Sequence, residues 1–297
     1  MSNRVIWDDQ RAFLAVLDAG SLSGAARLLG VAQPTVRARI EALEQALGTI
    51  LFTRSVNGLM PTEQARALAD SVRAMAKASE AFVRAASAAP GEAAGTVRIS
   101  VSDFVGIEVL PAMLASLRET HPAITAEISL SNASADLLEQ EVDIAVRMHP
   151  PRHEALVAKK VGAIPLGLFA HRDYLARRGV PQSIDDLAAH DFIGPDRVRA
   201  DLQLAATLLP DLPRERFVVR IDNHPAQLAC ARAGIGIAVV QRPIGSADPL
   251  LRPVLPEMDL VALDTWIVTH QDLRNVPRVR TAFDHLVTAF TRFTRQA

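Results

Sequence analysis

The most informative segment of the chain is residues 20–47, which read GSLSGAARLLGVAQPTVRARIEALEQAL. Apolar residues recur at intervals of three and four on both sides of a short break at 30–32, and this spacing predicts two helices joined by a tight turn. Gly20 suits the end of a preceding helix, and Ser21 or Ser23 can cap the helix that follows. Short helices in this order are typical of a helix-turn-helix.

The third helix, predicted over 33–47, has a buried face and an exposed face. Its apolar residues at helical spacing are Val36, Ile40, Leu43 and Leu47. The opposite face and its margins hold Gln33, Pro34, Thr35, Arg37, Ala38, Arg39 and Glu41. Since the major groove of DNA is about 12 Å wide and admits one helix, exposed Gln and Arg side chains there can hydrogen-bond to base edges. On periodicity alone, DNA reading and an ordinary helical hairpin with solvated arginines remain equal alternatives.

Residues 51–62 predict a short β-hairpin directly after the third helix. The segments 51–54 and 59–62 flank the dipeptide Asn57-Gly58, which is a strong turn signal. A hairpin in this position is typical of a wing, and its Arg54 is well placed to contact a phosphate or the minor groove.

The composition excludes several classes of protein. The 297 residues are 49% hydrophobic and carry a net charge of −1, so two or three packed domains are expected and a uniformly basic, histone-like surface is excluded. The single cysteine excludes a disulfide framework and a CxxC-type zinc site. No run approaches the roughly 18 apolar residues that span a membrane, and the polar start lacks a secretory pattern. We therefore expect a cytoplasmic protein with no membrane partner.

A long helical pattern, residues 62–89, follows the hairpin. Its small and apolar positions are Ala65, Leu68, Ala69, Val72, Met75, Ala76, Ser79, Phe82, Val83 and Ala86. This spacing is the seam pattern of paired helices. A helix packed on its own domain is the alternative, but no other element of the first zone is large enough to cover the stripe. We therefore expect a partner helix from a second copy of the chain.

From residue 96 onward, β-branched runs alternate with helical runs. Strands and helices are predicted in β-α-β-α-β order at 97–101, 105–120, 124–130, 133–139 and 143–147. This order indicates a parallel sheet with its ligand site at the carboxyl ends of the strands. A second series follows a similar plan between 164 and 240 and begins with a strand at 164–169. A strand at 266–269 is expected to return to the first lobe before a last helix at 277–293. Two α/β lobes around a cleft are therefore predicted.

Polar residues stand where the predicted strands end and helices begin. They are Ser102, Asp103, Asn132, Ser134, Asn223 and His224. Helix N-termini suit a carboxylate or phosphate, and Arg147 at the end of the third strand can add a bidentate partner. These residues predict a small anionic effector.

Each of these residues also has a purely structural interpretation. Ser102, Asn132 and Ser134 can serve as helix caps, and His224 can bond a nearby loop. Arg147 can pair with Asp103 or with Glu108 across the cleft.

The front of the chain resembles the LysR-type transcriptional regulator family over about sixty residues. The matching segments are 13–16, 20–26, 29–36, 40–44, 47–48, 51–54 and 59–62. The resemblance implies an α/β chain that contains a winged helix-turn-helix, a linker helix, a hinge and an effector domain similar to periplasmic binding proteins. The implied domains are 1–62 for DNA binding, 63–89 for the linker and dimerisation helix, 90–95 for the hinge and 96–297 for effector binding. Lobe one covers about 96–162 and 266–297, and lobe two about 163–265.

The resemblance implies a regulator that contacts DNA through Ser21, Ser23, Gln33, Pro34, Thr35, Arg37, Arg39 and Arg54. Arg37 is the first choice for a guanine contact, followed by Gln33 and Thr35, whereas Arg39 and Arg54 are expected to contact phosphates. Positional agreement with the family's pocket favours effector contact for Ser102 and Asn132.

Three departures from the family pattern stand out. Ala32 stands where the family usually has Ser, which removes a capping oxygen from the recognition helix. Arg37 replaces a small polar residue. Residues 148–151 replace a segment that often holds glycine, which affects the shape of the pocket near Arg147.

The implied partners are double-stranded promoter DNA, a second copy in a homodimer or homotetramer, a small anionic co-inducer and RNA polymerase. No other cofactor, metal or catalytic residue is expected. An enzyme is disfavoured because Cys230, the only thiol, lies in an apolar run with no neighbouring base, and no HExxH or GxSxG motif occurs. A free-standing solute-binding protein would explain the cleft but not the first sixty residues.

Overall fold

The fold was analysed in a computed structural model, which describes residues 5–55, 58–86, 93–132, 142–151, 153–210 and 212–295. The chain divides into two compact units, residues 1–84 and 85–297. In the described ranges, no helix combines the length and the apolar character that crossing a membrane requires.

The first unit is helical with one hairpin. Its elements are α1 (Trp7–Ala19), α2 (Leu22–Leu29), α3 (Gln33–Leu47), β1 (Phe52–Ser55), β2 (Gly58–Pro61) and α4 (Glu63–Ala86). The predicted third helix is confirmed at both ends. Val36, Ile40 and Leu43 are buried as expected, but Leu47 is 41% exposed. Leu47 is the last residue of α3, and Gly48 turns the chain away directly after it.

The hairpin is docked on the turn between the first two helices. The backbone N–H of Leu59 donates to the carbonyl oxygen of Gly20 at 2.9 Å. Gly58 has φ +124°, and a Cβ there would lie 2.6 Å from the same oxygen, so this contact requires glycine. Ser55 pairs with Gly58. The predicted turn residue Asn57 lies outside the described residues.

The apolar stripe of α4 is divided between two environments. Thr62 Oγ1 accepts a hydrogen bond from the N–H of Ala65 at 3.2 Å and so caps the helix. Ala65 and Val72 are buried in the core of the first unit, whereas Phe82 is 76% exposed and Val83 64% exposed. The expectation that the unit cannot cover its own stripe therefore holds only for the second half of α4. The predicted helix residues 87–89 lie outside the described part of the chain.

The second unit is a mixed α/β structure. Its strands are β3 (Gly95–Val101), β4 (Ile124–Leu130), β5 (Ile144–Arg147), β6 (Leu156–His171), β7 (Phe192–Gly194), β8 (Phe217–Arg220), β9 (Ala238–Gln241), β10 (Leu251–Val254) and β11 (Ala262–His270). Its α-helices are α5 (Leu110–Thr120), α6 (Arg172–Arg178), α7 (Arg199–Leu208), α8 (His224–Arg232), α9 (Arg242–Ala247) and α10 (Pro277–Arg295). A single π-helical turn, Val105–Val109, leads into α5.

One long strand is shared by two lobes. The strand order is β10-β6-β11-β5-β3-β4, and β9 also pairs with β6. In the first lobe β3 runs parallel to β4 and β5, as the β-α-β pattern predicts, and β11 returns antiparallel beside β5. The first part of β6 pairs with β11, and the part from Leu166 to His171 pairs with β9 and β10 in the second lobe. The sequence analysis predicted only residues 164–169 of this strand. The predicted helix at 133–139 lies outside the described residues.

The missing cap on α3 generates a stability prediction. Ala32 precedes α3 with extended backbone and no side-chain cap, whereas Ser21 Oγ accepts from the N–H of Gly24 at 3.1 Å to cap α2. We expect Ala32→Ser to raise the free energy of unfolding of the first unit by about 1 kcal/mol, and Ser21→Ala to lower it by a similar amount.

Urea unfolding of the full chain, followed by Trp7 fluorescence in a Trp266→Phe background, measures both changes. An unchanged midpoint for Ala32→Ser, together with a lowered midpoint for Ser21→Ala, would contradict the prediction.

Candidate nucleic-acid interface and effector cavity

The exposed face of α3 is fixed by its buried face. Val36, Ile40 and Leu43 pack in the core of the first unit. Consequently the predicted DNA-contacting residues of this helix lie at its surface: Pro34, Thr35 and Arg37 are exposed, and Gln33 and Arg39 are half-exposed. The arrangement leaves polar donors at the N-terminal end of an accessible helix, which is the end that reads bases in helix-turn-helix proteins.

The arginines of this region have different surroundings. Arg39 Nη2 lies 3.1 Å from Asp8 Oδ2 on α1, so its guanidinium is already paired. Arg37 and Arg54 are exposed and form no ion pair with any described residue. Their charges are therefore accessible to a phosphate or a base edge.

The starts of α2 and of the hairpin are also held in place. Ser21 caps α2, and Ser23 is exposed in its first turn. The backbone N–H groups of Leu51 and Phe52 both donate to Glu44 Oε1 of α3, at 2.7 and 3.2 Å. The carboxylate of Glu44 thus fixes the wing against the recognition helix.

The second unit contains a cavity of about 310 Å³ at the carboxyl ends of its parallel strands. Most of its lining side chains are apolar, and they include Phe104, Phe192, Leu204, Leu208, Phe217 and Leu263. Its polar lining includes Ser102, Asn132, Arg147, Asp201, His224, Gln227 and Gln241. The volume lies at the lower end of the range for small-molecule sites, and an apolar body with a few polar groups is their usual composition.

Four of the six predicted effector residues line this cavity: Ser102, Asn132, Arg147 and His224. Ser134 lies outside the described residues. Asp103 is not among the lining residues, and the structure gives it a different role. Its carboxylate accepts from the backbone N–H of Phe104 at 2.8 Å, and its other oxygen accepts from Asn223 Nδ2 at 2.9 Å. Asp103 therefore ties the end of β3 to the start of α8 across the two lobes.

Arg147 is almost fully buried, with 7% of its surface exposed. Its Nη2 donates to Ser100 Oγ at 2.8 Å, and its Nη1 donates to the carbonyl oxygens of Ser100 and Val146 at 3.2 and 3.0 Å. The predicted alternative partners are engaged elsewhere, since Glu108 pairs with Arg232 and Asp103 with Asn223. These hydrogen bonds hold the guanidinium at the wall of the cavity.

A second contact between the lobes is centred on Arg232 of α8. Its Nη1 and Nη2 donate to the two carboxylate oxygens of Glu108 at 2.9 and 2.8 Å, and its Nε donates to Asp248 at 2.7 Å. Burial opposes ionisation of Asp248, but hydrogen bonds from Arg232 and from the N–H of Leu250 outweigh it and hold the pKa of Asp248 below its ordinary value. The three charges form a clasp that joins the π-helical turn, α8 and the residue after α9.

Several lining residues were missed by the sequence analysis. Asp201 and Leu204 lie on α7, a helix that was not predicted, and Asp201 Oδ2 is 3.2 Å from His224 Nε2. The Ala- and Leu-rich composition of 199–208 was the available signal for this helix. Gln241 was also missed, although it is a polar residue at the end of a buried strand, the same signal that identified Arg147.

The described residues also bear on a metal site and on the single thiol. Within them, no group of three or more His, Cys, Asp and Glu side chains is arranged to hold a metal ion. Cys230 is half-buried and packs with the apolar cluster that contains Leu228 and Ala231.

Comparison with known proteins gives consistent matches along the chain. The HTH-type transcriptional regulator PgrR of Escherichia coli (strain K12) is 26% identical over 186 residues, which is 62% of this chain and 62% of PgrR. The HTH-type transcriptional activator AaeR of the same strain is 26% identical over 235 residues, or 77% of this chain and 74% of AaeR. The probable HTH-type transcriptional regulator LtrA of Klebsiella pneumoniae is 24% identical over 94% of this chain and 93% of LtrA.

Solved structures share the fold. Full-length CbnR complexed with its target DNA superposes with a TM-score of 0.70 at 20% identity, covering 96% of this chain and 99% of CbnR. The Vibrio cholerae virulence activator AphB gives a TM-score of 0.61 at 21% identity, covering 95% of this chain and 98% of AphB.

Two family descriptions cover nearly the whole sequence. Residues 7–66 match the bacterial regulatory helix-turn-helix protein, lysR family, and residues 90–291 match the LysR substrate binding domain. These domains and relatives are those of transcriptional regulators rather than enzymes. The chain therefore belongs to the LysR family of DNA-binding transcriptional regulators, with an N-terminal helix-turn-helix and a C-terminal substrate-binding domain.

Proposed function

We propose that this regulator binds promoter DNA as a homodimer or homotetramer and responds to a small anionic effector in the cavity of its second unit. The observation that carries the effector proposal is the buried guanidinium of Arg147 at the wall of a mainly apolar cavity. We further propose RNA polymerase as a partner and the cytoplasm as its compartment. We propose no other cofactor.

The environment of Arg147 favours an anion. Its hydrogen bonds to Ser100 and Val146 fix the guanidinium beside the cavity. A buried charge is costly to hold, and Coulomb attraction is stronger away from water. A carboxylate or phosphate in the cavity would therefore gain from this charge, and the side chains of Ser102 and Asn132 can add hydrogen bonds.

On the DNA side, we propose that Arg37, Gln33 and Thr35 read bases, with Pro34 beside them at the start of the helix. Ser21 and Ser23, at the start of α2, and Arg54 on the hairpin are proposed to contact phosphates. Arg39 is also proposed as a phosphate contact, and in that role it would share its charge with Asp8.

Dimerisation is proposed to use the second half of α4. Phe82 and Val83 are exposed apolar residues that continue the stripe buried at Ala65 and Val72. Burying them against the same helix of a second copy would remove apolar surface from water. Two copies would then present two recognition helices to a two-fold-related DNA site.

Effector binding and DNA binding are proposed to be coupled through the lobes and the linker helix. A ligand between the lobes would bias the contacts that join them, namely Asp103 with Asn223 and Arg232 with Glu108. The resulting change in lobe geometry would alter the spacing of the recognition helices. The effector site and the DNA-binding site would then be linked by a coupling free energy.

Replacing Arg37 tests the base-reading assignment. We expect Arg37→Ala to lose about 1–3 kcal/mol of discrimination at one base position, because a bidentate base contact is removed. Selection from a random duplex library identifies the preferred operator, and competition binding to its single-base variants then measures the discrimination. Arg54→Ala is the matched control and should weaken binding to all sequences alike. A uniform loss for Arg37→Ala would contradict its assignment.

Replacing Arg147 tests the effector assignment. Thermal unfolding is measured with a panel of small carboxylates and phosphate esters, since a ligand at 100 times its Kd adds about 2.7 kcal/mol of stability. We expect Arg147→Ala to abolish the shifts seen in the wild type while DNA affinity is retained. A cooperative unfolding transition of its second unit without ligand shows that the variant is folded. Arg172→Ala, at an exposed position outside the cavity, is the control. Equal ligand shifts in Arg147→Ala and wild type would contradict the proposal.

A further inference from the structure

Helix α7 presents a half-buried apolar face to the cavity. Its lining residues are spaced by three and four positions, which places them on one face of the helix: Asp201, Leu204, Ala205 and Leu208. The structure describes all ten residues of α7, and none of them is fully buried. By contrast, α5 in the same unit buries three residues at similar spacing, Leu110, Met113 and Leu117. The apolar face of α7 therefore meets the cavity rather than a packed core.

Both ends of α7 are held by the second lobe. Before the helix starts, the backbone N–H groups of residues 196–198 donate to Asp222 Oδ1 at 2.9, 2.9 and 3.1 Å. These hydrogen bonds lower the pKa of Asp222, so its carboxylate stays ionised and keeps accepting them. After the helix ends, Leu209 is buried in an apolar cluster of the second lobe. The middle of α7 is therefore a fixed wall, and the space beside Leu204 and Ala205 is open to a ligand.

The charges of the cavity wall orient an acid within it. Arg147 supplies a guanidinium from the end of β5 in the first lobe. The first turn of α7 supplies the carboxylate of Asp201, which lies 3.2 Å from His224 Nε2. An acidic group is attracted to Arg147 and repelled by Asp201. The apolar part of such an acid then faces the second lobe, which supplies Phe192 and Phe217 as well as α7.

We propose that α7 is a specificity-determining wall, whose Leu204 and Ala205 set the length of the apolar body that an effector can carry. The ligand class is a small monocarboxylic acid with an unbranched or aromatic tail, bound with its carboxylate at Arg147 and its tail against α7. This inference rests on the proposed effector function of the cavity and extends it. A methylene that fits the cavity gains affinity because it leaves water, whereas one that does not fit overpacks the wall.

The test measures the binding of two homologous series of acids to the full chain by isothermal titration calorimetry. One series runs from butanoate to decanoate, and the other from phenylacetate to 5-phenylpentanoate. In at least one series, affinity for the wild type should rise roughly fourfold with each methylene up to an optimal length. It should then fall, because a longer tail exceeds the space beside α7.

Substitutions at neighbouring positions of α7 separate its cavity face from its solvent face. Ala205→Phe should weaken binding of the optimal acid roughly 5- to 150-fold and shift the optimum to a shorter acid, because the added ring fills the cavity. The matched control Ala206→Phe adds the same ring at an exposed position and should leave the optimum unchanged. Leu204→Ala should shift the optimum to a longer acid. Its control is Leu202→Ala, at a half-buried leucine that is not among the lining residues.

The two cavity variants are expected to move the optimum in opposite directions, which a general loss of folding cannot produce. The same optimum in wild type, Ala205→Phe and Leu204→Ala overturns the assignment of α7 and leaves the anionic effector standing. A shift in either control equal to that of its cavity variant also overturns the assignment.

The neutral alcohols that correspond to these acids separate this inference from the proposed function. If only the alcohols bind, and their optimum shifts in the two cavity variants, the anionic effector is refuted and the assignment of α7 is supported. No binding by the acids or by the alcohols overturns the assigned ligand class.

Discussion

The division of α4 into a buried half and an exposed half is the constraint on which the DNA-binding arrangement depends. Ala65 and Val72 anchor the start of the helix in the core that also holds α3 in place. The same stripe continues to Phe82 and Val83, which the first unit leaves in solvent. We propose that this exposed stretch is the surface that a second copy of the chain covers. A helix of this kind can fix a recognition helix at one end and recruit a second copy at the other.

The second unit depends on a different constraint, the shared strand β6. Because one strand pairs with β11 in the first lobe and with β9 and β10 in the second, the lobes are continuous and a cavity forms where the pairing changes. Arg147 and Gln241 place a buried charge and a buried amide at this boundary. The clasp of Arg232 with Glu108 and Asp248 is a further contact between the lobes.

The spacing of apolar residues, and polar residues at the ends of buried strands, predicted those elements whose position depends on their own sequence. The bounds of α3 follow from its apolar spacing and from Gly48, and Ser102 and Arg147 were found because polar residues end buried strands. The length of β6 could not be predicted, because Lys159, Lys160 and Gly162 interrupt its apolar run and only pairing with β11 makes these residues a strand. The sequence also could not predict which half of the apolar stripe of α4 is buried. The same spacing of apolar residues is expected for a helix packed in the core of its own unit and for a helix paired with a second copy.

The most direct test of the account measures the molar mass of the full chain by sedimentation equilibrium, alone and on duplexes selected from a random library. A dimer or tetramer is predicted for the wild type, and a monomer of unchanged helix content for Phe82→Asp combined with Val83→Asp. A wild-type chain that stays monomeric at every concentration and binds no duplex would contradict the account.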